Sequence, residues 1–350
     1  MAKIRTLVVD DSALMRMLIP SMLKRSPMIE VVGAASNPFA AREMIKELNP
    51  DVITLDVEMP RMDGLSFLDK IMRLRPTPVV MVSSLTQKGA DITLKALELG
   101  AIDFIGKPTM DIERNMPLLA EELIEKVKAA AQARSRMRRS PAPVKRAQPV
   151  TFDTTEMLVG IGASTGGVET LGRLLGAFPP NAPGTVITQH MPHTFTGKFA
   201  DRLNNHCAAH VGEARDGQRI RPGQVWIAPG DKHLKIVRSG ADYVCRLTED
   251  EPVSGHRPSV DVMFESIAKA AGANSIGVIM TGMGRDGAAG LKTMRDAGAA
   301  TIGQDEATSL VYGMPKMAFE AGAVEQQLPD DKILSAILQI VAKRGDALRI

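Results

Sequence analysis

Every histidine of this 350-residue chain lies past residue 189 (His190, His193, His206, His210, His233 and His256), and so do both cysteines, Cys207 and Cys245. Chemistry that needs an imidazole or a thiol therefore belongs to the second half, and the first half must work with carboxylates, hydroxyls and lysines. In the second half, Gly162-Ala163-Ser164-Thr165-Gly166 fits a pattern in which small neighbours let a sharp strand-to-helix turn expose a serine hydroxyl as a nucleophile. Such a serine needs a base, and the base an orienting acid. His190 and Asp286 are candidates because each falls just past an apolar run of strand type, while Asp231, His233 and Asp261 remain rivals. The first half offers Asp10, Asp11 and Asp56 with Ser83, Ser84 and Lys107. Three carboxylates without histidine or cysteine make a hard-oxygen site suited to Mg²⁺. Grouped like charges also need a cation or a proton to coexist. The lysine and a hydroxyl would bind the oxygens of a phosphoryl group, with one aspartate as its acceptor.

Two patterns carry less weight. His206 and His210 have the i, i+4 spacing of a helical metal pair, but Cys207 is off that face and a third ligand is not evident. Gly282-Met283-Gly284-Arg285-Asp286-Gly287 matches the dinucleotide fingerprint in form, without the opening βαβ position that gives it meaning. Counted from Gly160, the third glycine of that fingerprint falls on Thr165.

The elements that must hold these residues follow from periodicity. Apolar runs at 6–9, 30–34, 52–55, 79–82 and 102–105 predict five strands, with helices at 38–48, 65–74 and 90–99 between them. Pro20 falls inside the first helix and is expected to bend it. Beyond residue 156, strands are predicted at 157–161, 184–188, 224–228, 275–280 and 299–302 and helices at 168–175, 260–271 and 288–297. Residues 233–247 read as an antiparallel hairpin turning at Arg238-Ser239-Gly240. Alternating strands and helices imply α/β architecture with parallel sheets covered on both faces, whose functional edge is the carboxyl end of the strands. Asp10, Asp11, Asp56, Ser83 and Lys107 all fall at such ends, as do Ser164, His190 and Asp286.

Composition limits the rest. Hydrophobic residues at 44% and charged residues at 24% exclude wholesale disorder, collagen and coiled coil. Nine Phe, two Tyr and one Trp are few for stacking on single-stranded nucleic acid. The net charge is only +3, and residues 129–152 alone hold six basic residues and no acid. With Pro141, Pro143 and Pro149, the segment 129–155 reads as a solvated tether between domains 1–128 and 156–350. Two cysteines make no disulfide framework, no signal peptide is evident, and no apolar run approaches the roughly 18 residues of a membrane span. A soluble, cytoplasmic protein is expected.

Val9-Asp10-Asp11-Ser12, Leu55-Asp56-Val57-Glu58-Met59-Pro60, Met62-Asp63-Gly64 and Lys107-Pro108 resemble the response-regulator receiver domain. That resemblance implies a flavodoxin-like (βα)5 fold and phosphorylation of Asp56 by a histidine kinase. It also implies Mg²⁺ held by Asp10, Asp11, Asp56 and the Glu58 backbone, phosphoryl contacts from Ser83 and Lys107, a switch residue at Phe104 and a cis Lys107–Pro108 bond. Gly162-Ala163-Ser164-Thr165-Gly166-Gly167, Thr188-Gln189-His190-Met191-Pro192, Ala228-Pro229-Gly230-Asp231, His256-Arg257-Pro258-Ser259-Val260-Asp261 and Thr281-Gly282-Met283-Gly284-Arg285-Asp286-Gly287 resemble the catalytic domain of the chemotaxis methylesterase family, CheB. This implies a doubly wound serine hydrolase with Ser164, His190 and Asp286 as its triad. It further implies hydrolysis of glutamate methyl esters, and deamidation of glutamines, on chemoreceptor helices, with no cofactor for hydrolysis and no contact with nucleic acid. Backbone N–H groups near Thr165 and Met283 are expected to form the oxyanion site. A DNA-binding regulator, a dinucleotide-dependent oxidoreductase and an inert adaptor are the competing classes; the second half lacks a helix-turn-helix pattern.

Overall fold

The computed structural model describes residues 3–60, 62–84, 86–107, 112–134 and 157–347. The chain divides into two compact units, Met1–Ser140 and Pro141–Ile350. Pro108 and most of the expected tether lie outside the described residues.

The first unit alternates β1 (Ile4–Val9), α1 (Ala13–Leu23), β2 (Ile29–Ala35), α2 (Pro38–Leu48), β3 (Val52–Asp56), α3 (Gly64–Leu74), β4 (Val79–Ser83), α4 (Gln87–Glu98), β5 (Asp103–Gly106) and α5 (Ile112–Ala133). The strands form one parallel sheet in the order β2-β1-β3-β4-β5. Leu7, Val8, Ile53, Leu55, Val80 and Met81 are wholly buried, as a sheet covered on both faces requires. The order reverses between β1 and β3, and that switch point separates Asp10 from Asp56. Helix α1 continues through Pro20. Helix α5 runs to Ala133, so the expected tether begins as helix; its first residues, Ala129, Ala130 and Ala133, are buried.

The second unit contains β6 (Leu158–Ala163), α6 (Gly167–Gly176), β7 (Gly184–Gln189), α7 (His193–His206), β8 (His210–Glu213), β9 (Arg219–Ile220) and β10 (Gln224–Ile227). It continues with β11 (His233–Ser239), β12 (Asp242–Thr248), α8 (Val260–Ala271), β13 (Ser275–Ile279), α9 (Ala288–Asp296), β14 (Ala300–Gln304), α10 (Met314–Glu320), β15 (Gln326–Leu328) and α11 (Asp330–Ala347). Seven strands pair in parallel in the order β15-β14-β13-β6-β7-β10-β8, while β11, β12 and β9 form a separate antiparallel sheet. The hairpin turns at Gly240-Ala241 rather than at Arg238-Ser239-Gly240, because Gly240 supplies the positive φ of 62° that the tight turn needs. The short strands β8, β9 and β15 carry too few residues for their periodicity to register in the sequence.

The glycines of β6 serve packing. A methyl group on Gly162 would overlap Val260, and one on Gly160 would lie 2.5 Å from Ile267 Cδ1, so both glycines admit α8 against the strand. Phe264 and Ile267 fill the space behind them, fully buried. Gly162→Ala is therefore expected to destabilise the second unit by about 1–3 kcal/mol through overpacking. Urea denaturation checks this: an unchanged midpoint would mean that α8 can retreat without loss.

Candidate active site

In the first unit, Asp10 directly follows β1 and Asp56 ends β3, both buried, with exposed Asp11 beside them. One carboxylate oxygen from each lies within 4.8 Å of the others. Lys107 Nζ reaches Asp56 Oδ1 at 2.8 Å and Asp10 Oδ2 at 3.6 Å, the latter an ion pair beyond hydrogen-bond length. The Glu58 N–H donates to Asp56 Oδ1 (3.1 Å) and the Ser12 N–H to Asp10 Oδ1 (2.9 Å). Burial raises the Asp56 pKa to about 6, against the hydrogen bond from Lys107 and with help from Asp10. Burial likewise raises Asp10, while the same acids hold the Lys107 ammonium above its usual range despite its own burial. Oδ2 of Asp10 and Oδ2 of Asp56 are buried without hydrogen-bond partners. An all-oxygen cluster with crowded charge and unused lone pairs fits a hard divalent cation.

Ser83 sits at the end of β4, but its hydroxyl is turned toward α4. Its Oγ lies 2.7 Å from Thr93 Oγ1, whose hydroxyl donates to the Gly89 carbonyl. Phe104 is buried, with Lys126 Nζ 5.2 Å from its ring centroid.

In the second unit, the reversal of strand order falls between β13 and β6. Ala163 is the register partner of Gln189, so Ser164 and His190 are the next residues on neighbouring strands, and the His190 N–H donates to the Ala163 carbonyl (3.1 Å). Asp286 lies in the loop after β13. That loop is tied to the serine turn by the Ser164 N–H, which donates to the Thr281 carbonyl (3.0 Å), and by Thr281 Oγ1, which donates to the Thr165 carbonyl (3.0 Å). Gly282 is needed here, since a methyl group on it would lie 2.9 Å from Ser164 Cβ.

His190 Nε2 and Asp286 Oδ2 are 2.8 Å apart. Asp286, 1% exposed, also accepts from the Ser259 hydroxyl (2.8 Å) and from the N–H groups of Val260 (2.7 Å) and Asp261 (3.2 Å). Ser259 is the N-cap of α8, so the carboxylate rests on the positive end of a helix. Burial works against its charge. The hydrogen bond and charge of His190, with Val260 and Ser259, outweigh burial and hold its pKa at about 2. Nδ1 of His190 is buried and without a partner, and the His256 ring stacks on the imidazole at 3.7 Å between centroids and 13° between planes.

The rival acids have other partners. Asp231, at φ 63°, pairs with exposed His193. Asp261 accepts from the Gly290 N–H, its pKa raised by burial and by Asp286. His233 is buried and accepts from the Ser259 N–H at Nδ1. The expected metal spacing of His206 and His210 is not realised as a helical pair: α7 ends at His206, and His210 opens β8 with its ring edge-on to Trp226. Among the described residues, the acids of the first unit are the one cluster suited to a metal. Thr165 is buried beside Ser164, and Met283 lies in the loop bearing Asp286. Residue spacing alone assigns no role to Ser259 or His256. For Ser259 a signal exists, because a serine directly before a predicted helix is an N-cap pattern; the stacking of His256 has none.

Comparison with known proteins first defines the class. Residues 6–115 match the response regulator receiver domain, and residues 159–337 match the CheB methylesterase family. A protein-glutamate methylesterase/protein-glutamine glutaminase of Caulobacter vibrioides is 57% identical over 98% of this chain and 100% of its own. One from Pseudomonas aeruginosa is 53% identical over 99% of each. The crystal structure of the Thermotoga maritima CheB methylesterase catalytic domain is 36% identical, with a TM-score of 0.52, covering 53% of this chain and 99% of that one. The chain belongs to the CheB methylesterase family, with an N-terminal receiver domain. Among the described residues no helix is long and apolar enough to cross a membrane.

The seat of Asp286 has a measurable signature. Its depressed pKa means that the ionised carboxylate contributes stability in full above the ordinary value of 3.8, and that this is lost as pH falls through about 2. The stability difference between wild type and Asp286→Asn should therefore shrink as urea denaturation is repeated from pH 5 down to 2. Ser259→Ala, which removes one charge-assisted hydrogen bond, should cost about 1.5–3 kcal/mol at pH 7.

Proposed function

We propose that the protein hydrolyses glutamate methyl esters, and deamidates glutamines, on chemoreceptor helices through Ser164, His190 and Asp286. The observation that carries this is the imidazole of His190, held at Nε2 by a helix-seated carboxylate and leaving Nδ1 for proton transfer beside the serine turn. The substrate class is supported by relatives more than 50% identical over nearly the whole chain, whose names give both activities.

Ser164 Oγ attacks the side-chain carbonyl as its proton passes to His190 Nδ1. Asp286 stabilises the imidazolium and fixes the ring. Backbone N–H groups near Thr165 and Met283 receive the charge on the carbonyl oxygen. His190 then gives its proton to the departing methanol or ammonia. Water, deprotonated by the same nitrogen, releases glutamate from the acyl enzyme.

In the receiver, Asp56 accepts a phosphoryl group from a histidine kinase. Asp10, Asp11, Asp56 and the Glu58 backbone would hold Mg²⁺, which neutralises charge at the transferring group. Lys107 and, after its hydroxyl turns away from Thr93, Ser83 contact the phosphoryl oxygens, with Phe104 as the responsive aromatic. The added charge raises the hydrolytic rate.

Methanol release from methylated receptor tests the first half of this reading. Ser164→Ala and His190→Ala should each lose activity, and Asp286→Ala should be less severe, because an orienting group counts for less than the nucleophile or base. Full activity in a folded Ser164→Ala protein would overturn it. For the receiver, a small-molecule phosphodonor should stimulate wild type but not Asp56→Asn. EDTA should remove that stimulation and leave the basal rate intact; a basal rate that EDTA abolishes would point to a metallohydrolase instead.

A further inference from the structure

Resting on the assignment of Ser164 and His190 above, we propose that Gln189 is a positioning residue that aligns nucleophile and base with a single amide group. Gln189 ends β7, and its side chain is buried, the residue being 3% exposed. Its Nε2 donates to the main-chain carbonyl of Ser164 (2.9 Å) and to that of His190 (3.2 Å). A primary amide has two N–H groups, and here one serves each residue. The orientation of the amide follows from its neighbours: both are carbonyl oxygens, which only accept, so the flipped amide would set oxygen against oxygen. Oε1 faces the start of α6 and has no hydrogen-bond partner. Gly167 makes room for it, because a methyl group there would overlap Oε1.

The clamp matters because of what each carbonyl is attached to. Ser164 O also accepts from the Gly167 N–H (2.8 Å), so two donors fix the peptide plane after the nucleophile. That plane is rigid and carries the Thr165 N–H on its opposite edge, so holding the carbonyl aims the N–H expected to meet the developing oxyanion. The second N–H does the same for the peptide after His190. Gln189 touches neither substrate nor reacting atoms. It sets the register between two strands' worth of catalytic groups, and small misplacement of such groups costs up to about a hundredfold in rate.

The test compares full-length wild type, Gln189→Met, Gln189→Glu, Gly167→Ala and Ser164→Ala by methanol release from methylated receptor across pH 6–9. Gln189→Met keeps the length of the side chain and removes both donors. It should lower kcat about ten- to a hundredfold with KM within about twofold, by a factor that does not vary with pH. Gln189→Glu should be as slow at high pH, where a carboxylate faces two carbonyls, and should recover relative to wild type as pH falls and the protonated carboxyl regains one donor. The ionisable neighbours His190, His256 and Asp286 are common to both proteins, so the ratio isolates the group at position 189. A purely structural role would lower the urea midpoint and the fraction folded while leaving kcat per folded enzyme unchanged. Gly167→Ala keeps the amide but displaces it, and should lower kcat similarly, which keeps the proposal testable if a Gln189 variant fails to fold. Gln189→Met or Gly167→Ala at the wild-type kcat, or a Glu variant whose ratio to wild type is flat with pH, would overturn the proposal while an inactive Ser164→Ala leaves the triad standing. An active Ser164→Ala would overturn both.

Discussion

The carboxylate of Asp286 is removed from water and yet held ionised, because His190 pairs with it and the N-terminus of α8 supplies two backbone N–H groups and a capping hydroxyl. Much of the second unit is arranged so that this helix can be there. Glycines 160 and 162 strip β6 of side chains on the face where α8 lies, and Phe264 and Ile267 fix its depth. The loop after β13 reaches the helix because Gly287, at φ 91°, turns it into α9 beside Val260. Glycines that could be taken for a nucleotide cradle thus act one step removed from chemistry. They bring a helix dipole close enough to a buried acid for that acid to orient an imidazole.

Two halves of one chain use the same geometric rule for different ends. Both place their reactive groups at strand carboxyl ends flanking a reversal of strand order. In the receiver the groups are acids and a lysine, whose mutual charges set a problem that a cation would solve. In the second unit the most deeply buried acid, Asp286, is met by a histidine, a hydroxyl and two backbone N–H groups. The confinement of every histidine to the second unit is the chemical trace of that division.

The sequence made the strand ends readable, and with them Asp10, Asp11, Asp56, Lys107, Ser164, His190 and Asp286, because apolar runs mark where strands stop. It did not reveal which nitrogen of His190 meets the acid. Nε2 meets Asp286, the reverse of the familiar protease arrangement. Nor could spacing show that Gln189 reaches back across the register to Ser164, or that His256 covers the His190 ring, since both are consequences of long-range packing. The last turn of α5 was hidden for a similar reason: its alanines are buried by contact with the rest of the unit, not marked by any strong periodic pattern.

Strand β6 pairs on one edge with β7, the next strand in the chain, but its other edge needs β13, which joins Leu158 to Ser275. Non-local pairing of this kind is slow to form, and an unpaired edge is open to the wrong neighbour while it waits. During synthesis the serine turn emerges from the ribosome long before the loop that carries its acid. On the proposed triad, the nascent chain would therefore lack its acid until the loop after β13 has been translated and β13 threaded into the centre of the sheet, so that hydrolytic competence and completion of the fold would arrive together.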